Sequence, residues 1–132
     1  STSDVQADYS WNDQIYMRLA DTYLLKAEAQ FRLGQPGQAA GTINIIRQRS
    51  NASPVTGADI SLDFILDERS RELLLEEERR MTLLRTGKWF ERTQLYNKFG
   101  GERIARRDTL FPVPQDVIDA NLTRPFPQNP GW

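Results

Sequence analysis

The chain has 132 residues, enough for one compact domain, and its 17 basic and 18 acidic residues leave a formal net charge of −1 at pH 7. This balance gives no basic surface for binding nucleic acid. The sequence has no cysteine and no histidine, which excludes disulfides, thiol or imidazole catalysis and every Cys/His metal site, so we expect neither a metal nor a cofactor.

Residues 1–12 are polar and predict an irregular lead-in that contains two aromatic side chains, Tyr9 and Trp11. An exposed ring can stack on a sugar or a base, so these two residues are the candidate carbohydrate contacts of the chain. Aromatic residues ahead of a helix more often complete the end of a core, and the sequence leaves both interpretations open.

Residues 13–33 place small and apolar side chains at three- and four-residue steps, which predicts an amphipathic first helix. Gly34 then favours the left-handed conformation that ends a helix, and Pro36 suits the first turn of a second helix that runs to about Ser50. Because the connection is short, the two helices should be antiparallel neighbours in a hairpin of tetratricopeptide-like type. The predicted buried faces are Ala20, Tyr23, Leu24, Ala27 and Phe31 on the first helix and Ala39, Ala40, Ile43 and Ile46 on the second.

A third helix is predicted to begin after Ser61, whose side chain suits the N-cap position. A break is predicted near residues 77 and 78, followed by a short helix that ends at Gly87. The predicted fold class is therefore mainly α, with helical hairpins followed by an irregular C-terminal segment. The remaining predicted elements are a helix over residues 89–97, a basic loop over 98–109, an extended segment over 110–114, a short helix over 115–121, and a proline-rich end from which Trp132 packs back.

Three glutamates stand four residues apart at Glu68, Glu72 and Glu76, a spacing that would stack three carboxylates on one face of a helix. Paired carboxylates can catalyse glycoside hydrolysis, but one of them must then keep its proton, and neighbouring arginines favour the ionised form. We therefore interpret the stripe as a structural ion-pair network rather than a catalytic site. Its predicted members are Glu68, Arg69, Glu72, Glu76, Arg79 and Arg85, with arginines of the hairpin such as Arg47 as further partners.

Several segments, in this order along the chain, resemble motifs of the SusD/RagB family. They are RLADTYLLKAEAQFRLGQ followed by IIRQRS, ILDERSREL followed by Glu76, Arg79, Leu83, Arg85 and Gly87, and the closing LFPVP and QNPGW. The sequence departs from the family pattern at Glu77, where glycine is usual, and at Thr82, where aspartate is usual. The first departure weakens the prediction of a helix break, and the second removes an ion-pair partner.

The resemblance implies a non-catalytic, cell-surface lipoprotein of the outer membrane that captures oligosaccharides or other nutrients and works with a TonB-dependent transporter. In such a protein the lipid anchor would lie upstream of Ser1, and residues 13–132 would form the C-terminal helical domain of a longer chain. The resemblance covers the helical scaffold and assigns no sugar-binding residue. No apolar run in the sequence reaches the roughly 20 residues that cross a bilayer.

The alternative function is a helical protein–protein interaction module without a ligand site of its own, because hairpins of this type form concave surfaces for partners. A hairpin without neighbouring repeats would also leave an apolar face uncovered, so we expect self-association of the chain. A binding response to oligosaccharides would separate the two functions.

Overall fold

The computed structural model describes residues 16–132, so the predictions for Tyr9 and Trp11 lie outside the described part. The described residues are helical and contain no strand, which confirms the predicted mainly α fold. They divide into two compact units, with the boundary between Glu77 and Glu78, and each unit has its own set of helices.

The described part of the first unit is built from helices α1 (Leu19–Arg32), α2 (Pro36–Arg49) and α3 (Leu62–Glu72). α1 and α2 form the predicted hairpin, joined through Gly34, which has a left-handed backbone with φ of +74°. α3 lies against α1, and its N-cap is Ser61 as predicted. The buried apolar side chains are Leu24, Ala27, Ala39, Ala40, Ile43, Ile46, Ile60, Ile65, Leu66 and Leu73, with Ala20, Tyr23 and Phe31 partly buried beside them.

The first helix begins later than predicted. Residues 16–18 are not helical, and residues 13–15 lie outside the described part. Arg18 is the N-cap of α1 and has an extended backbone, with φ of −125° and ψ of 165°. Its guanidinium donates hydrogen bonds to Glu72 and Glu76. The N-cap residue of α1 therefore also joins α1 to the C-terminal end of α3 and the turn that follows.

The third helix ends at Glu72, earlier than the predicted break near residues 77 and 78. The turn that follows contains Leu75 with φ of +64°, a left-handed conformation that a bulky side chain rarely adopts and that cannot continue a helix. Within the turn, the carbonyl oxygen of Leu73 accepts hydrogen bonds from the backbone N–H groups of Glu76 and Glu77. Glu76 therefore does not belong to α3, and the predicted stacking of three carboxylates on one helix face is wrong.

The loop between α2 and α3 is held against α2 by a side chain of that helix. The Asn44 amide both donates to the Val55 carbonyl oxygen and accepts from the Val55 N–H, each at 2.8 Å. A 3-10 turn at Gly57–Asp59 follows, and a Cβ atom on Gly57 would lie 2.9 Å from the backbone nitrogen of Gly37. This backbone-to-backbone approach leaves no space for any side chain at position 57.

We expect Gly57→Ala to lower the free energy of unfolding by about 1–3 kcal/mol, because the new methyl group meets backbone atoms that cannot move aside as a side chain does. The matched control is Gly41→Ala, since Gly41 lies within α2 and has open space around its Cα. That replacement should raise the free energy of unfolding by about 0.5–1 kcal/mol. Urea denaturation followed by circular dichroism measures both, and equal stability of the two variants would contradict the close approach.

The second unit contains helices α4 (Arg79–Arg85), α5 (Trp89–Tyr96) and α6 (Gln115–Ala120). Gly87, with φ of +72°, separates α4 from α5 at the predicted position. The predicted basic loop is more ordered than expected, because it contains two 3-10 turns, at Gly101–Arg103 and Arg106–Thr109.

The two closing motifs of the sequence, LFPVP and QNPGW, are bonded to each other. Pro112 and Pro114 have no backbone N–H group, so within Pro112–Val113–Pro114 only Val113 can donate a backbone hydrogen bond. The side-chain amide of Gln128 accepts from the Val113 N–H at 2.7 Å and donates to the Val113 carbonyl oxygen at 2.8 Å. One glutamine thus satisfies both backbone groups, as a neighbouring strand would.

The chain end packs back as predicted. The Trp132 indole N–H donates to the carbonyl oxygen of Leu110 at 3.1 Å, and the Arg107 guanidinium lies 4.6 Å from the ring centroid. Arg107 also donates to the Gly131 carbonyl oxygen at 3.0 Å. These contacts fix the irregular, proline-rich segment without regular secondary structure.

Candidate functional site

Buried carboxylates of α3 are paired with arginines from the end of α2. The Glu68 side chain is 7% exposed and accepts from the Arg47 guanidinium, which also donates to the Ser53 carbonyl oxygen at 2.7 Å. Arg71, on the solvent side of α3, donates to the same Glu68 oxygen at 2.6 Å. α3 is thereby joined to α2 by an ion pair as well as by the apolar core.

Glu72 is the most heavily bonded acid at the end of α3. Its carboxylate accepts from Arg18 at 2.6 Å and from Arg49 at 2.5 Å, so one side chain connects all three helices of the first unit. Arg18 also donates to the backbone carbonyl oxygen of Glu72 and to the carboxylate of Glu76. The hydrogen bonds that Arg18 donates to Glu76 and Glu72 raise the pKa of Arg18 above its ordinary value, which keeps the guanidinium charged.

Arg69 is buried, with 4% of its side chain exposed, and it pairs with two acids on different segments. Its Nη2 atom donates to Asp21 in the first turn of α1 at 2.6 Å, and its Nε atom donates to Glu77 at 2.5 Å. Glu77 is one of the two positions at which the sequence departs from the SusD/RagB pattern. Glu77, which stands where glycine is usual, thus supplies a carboxylate that pairs with the buried guanidinium of Arg69.

The structure brings together part of the predicted network. Glu68, Glu72 and Glu76 are all paired with arginines. Glu68 pairs with Arg47, which was named as a hairpin partner, but none of the three pairs with Arg69, Arg79 or Arg85. Arg79 and Arg85 lie on α4 in the second unit and have interactions of their own. The predicted class of hairpin arginines includes Arg18 and Arg49, although the sequence did not single them out, and the acids Asp21 and Glu77 were not predicted as members.

Chemically, this network is suited to joining helices. Each of the glutamates at 68, 72 and 76 accepts hydrogen bonds from a guanidinium, and such a carboxylate is poorly placed to give a proton to a substrate. Among residues 16–132, no group of three acidic side chains is arranged to hold a metal ion. The three glutamates therefore serve to join helices of the first unit and its C-terminal turn.

Arginines of the second unit stack on aromatic rings. Arg80 lies between two of them, with its guanidinium 4.5 Å from the ring centroids of both Trp89 and Phe111, and it donates to the Asp108 carbonyl oxygen at 2.8 Å. Because Trp89 belongs to α5 and Phe111 to the LFPVP motif, the guanidinium of Arg80 joins both segments to α4. Cation–π attraction is stronger when the cation is shielded from water, as it is between two rings.

A surface formed by residues 96–101, which we term the Phe99 turn, presents aromatic rings to solvent where α5 ends. Tyr96 is 61% exposed and Phe99 is 95% exposed. The Asn97 side-chain oxygen accepts from the backbone N–H groups of Phe99 at 3.1 Å and Gly100 at 3.2 Å, and the Asn97 carbonyl oxygen accepts from Gly101 at 2.8 Å. The sequence predicted a helix up to residue 97 and a surface loop from residue 98, and missed this turn, whose signal was an asparagine two residues before Phe99.

Comparison with known proteins decides the family. The sequence model of the SusD family matches residues 2–132, which is nearly the whole chain. The chain belongs to the SusD family. The resemblance found from the sequence motifs is thereby confirmed. Within the first unit the motif that contains Asp21 is bonded to the motif that contains Arg69, and within the second unit LFPVP is bonded to QNPGW.

Curated relatives of this SusD-family chain are proteins of two bacteria. The starch-binding protein SusD of Bacteroides thetaiotaomicron is 35% identical over 130 residues, covering 96% of this chain and 23% of the relative. A SusD-like protein of Formosa agariphila is 40% identical over 101 residues, covering 68% of this chain and 20% of that protein. The chain thus spans less than a quarter of the length of the relatives it matches. No solved structure matches it.

Helix length bears on membrane crossing. The longest helices among residues 16–132, α1 and α2, have 14 residues each. A span needs about 20 apolar residues, and no helix of the described part is long and apolar enough to cross a membrane.

Proposed function

We propose that this SusD-family chain belongs to a non-catalytic glycan-binding protein of nutrient uptake, in which its helices supply the scaffold. The observation that carries the proposal is the family match over residues 2–132, together with 35% identity to a protein described as starch-binding. The charged side chains agree with a scaffold role, since Arg18, Arg47 and Arg69 tie α3 to the hairpin rather than line an open site.

The proposal extends to place and partner. We infer that the protein acts at the outer-membrane surface, held by a lipid anchor, and passes its ligand to a TonB-dependent transporter of the SusC type. Co-purification from detergent-solubilised outer membranes, with the tagged protein as bait, tests this part. Recovery of a TonB-dependent transporter supports the partnership, and recovery of the protein without one contradicts it.

Glycan binding is tested by titrating the chain with maltoheptaose, cellohexaose, xylohexaose, mannohexaose and laminarihexaose while following tryptophan fluorescence. The chain has three tryptophans to report binding. We expect saturable quenching by at least one of these sugars. The Bacteroides thetaiotaomicron relative with maltoheptaose is the positive control.

The second candidate function is a helical protein–protein interaction module. Large apolar side chains on the described surface of the first unit favour it, among them Leu33 at 73% exposed and Leu75 at 98% exposed. Under this function the chain should give no fluorescence response to any sugar in the panel while the control responds. Such exposed side chains also support the expected self-association, which sedimentation velocity over a range of protein concentrations would measure.

A further inference from the structure

We propose that the Phe99 turn is itself a glycan-contact site, at which the rings of Phe99 and Tyr96 stack on pyranose units of an oligosaccharide. The inference rests on the proposed glycan-binding function and adds to it a location in this chain. It differs from the sequence-based candidates Tyr9 and Trp11, which lie outside the described residues.

Phe99 is exposed on a backbone that is held in place. Phe99 is 95% exposed to solvent. The backbone N–H groups of Phe99 and Gly100 donate to the Asn97 side-chain oxygen, which restricts the backbone of the turn. Gly101 anchors the turn on α5, since a Cβ atom there would lie 2.6 Å from the Thr93 carbonyl oxygen and 2.8 Å from that of Gln94. A ring held in place before binding loses less conformational entropy when a ligand arrives.

The two rings are accompanied by polar and charged side chains in the same stretch of the chain. The buried Arg92 places its guanidinium 5.0 Å from the Tyr96 ring centroid, which supports that ring in one orientation while the residue stays 61% exposed. In the sequence, exposed Gln94 lies two residues before Tyr96, Lys98 directly before Phe99 and Arg103 four residues after it, and each of these side chains can bond to hydroxyl groups. A pyranose needs both features, because its C–H face is apolar and its rim is polar.

The same surroundings disfavour a protein partner at this turn. Lysine is depleted from the buried centre of protein–protein interfaces, whereas Lys98 directly precedes Phe99. A small ligand that leaves the lysine partly in water fits this arrangement better than a protein surface that would bury it. We therefore commit to an oligosaccharide as the occupant of the Phe99 turn.

The experiment compares variants of the whole chain by calorimetric titration with the sugar that binds best in the oligosaccharide panel. Phe99→Ala should weaken binding about tenfold, the equivalent of one lost aromatic contact. Phe99→Tyr keeps the ring and should bind within about twofold of the parent chain. Leu122→Ala is the matched control, since Leu122 is a 92% exposed apolar side chain of the same unit and should leave affinity unchanged.

The outcomes separate the inference from the function on which it depends. Unchanged affinity of Phe99→Ala, with binding by the parent chain intact, overturns the site at the Phe99 turn and leaves the proposed function standing. Failure of the parent chain to bind any sugar of the panel overturns the site at the Phe99 turn, and failure of the full-length protein to bind as well overturns the proposed function. Equal losses in the Phe99→Ala and Leu122→Ala variants would also overturn the site, because the effect would then not depend on the aromatic ring.

Discussion

Replacing Arg69 with methionine should lower the free energy of unfolding by about 3–5 kcal/mol, because it removes the buried cation that pairs with Asp21 and Glu77. Methionine fills much of the space of the arginine stem, so the loss comes from charge rather than from volume. Asp21 and Glu77, now paired with the guanidinium, have side chains that are 19% and 5% exposed. Urea denaturation followed by the helical circular dichroism signal measures the change.

The matched control is Arg71→Met on the same helix. Arg71 is 58% exposed, and its partner Glu68 keeps Arg47 after the replacement. Exposed ion pairs contribute little, so the control should change stability by less than about 1 kcal/mol. If Arg69→Met and Arg71→Met cost the same, burial of Arg69 does not contribute to stability as we infer.

A second large effect is expected for Glu72→Gln, which removes the charge shared by Arg18 and Arg49. We expect a loss of about 1.5–3 kcal/mol, the range for hydrogen bonds to charged groups. The loss should be smaller than for Arg69→Met, because Arg18 retains Glu76 and Arg49 is 64% exposed, so water can solvate its charge. Thermal unfolding should show a correspondingly lower Tm.

Glu76→Gln provides the comparison for that prediction. Glu76 bonds to the same arginine as Glu72 but its side chain is 46% exposed rather than 9% exposed. The expected cost is therefore below about 1 kcal/mol. An unchanged Tm in Glu72→Gln would show that the ion-pair network does not hold α3 to the hairpin, and the structural interpretation of these residues would be wrong.

Much of the fold could be predicted because its signals are local. The hairpin followed from residues repeating at helical spacing and from Gly34, the start of α3 followed from Ser61, and the separation of α4 from α5 followed from Gly87. The end of α3 could not be predicted in this way. Its turn depends on Leu75 in a left-handed conformation, and leucine carries no local preference for that conformation.

The candidate sites were predicted less completely than the fold. The three glutamates were recognised as ion-pair residues, but their partners lie far along the chain, as Arg18 does from Glu72. Charge alone cannot choose among many arginines, since an ion pair forms with the one that folding brings within reach. The exposure of Phe99 was likewise hidden, because an aromatic residue in a loop can be buried as readily as exposed.

By itself, the sequence determined the helical class, the hairpin and the SusD family, because periodicity, capping residues and motifs are properties of neighbouring positions. Only the tertiary structure decided that Glu76 leaves the helix, that Glu77 pairs with Arg69, and that Gln128 satisfies the backbone of Val113. These outcomes depend on distances between segments separated by loops. Such distances are set by the packing of the whole unit and not by any short stretch of residues.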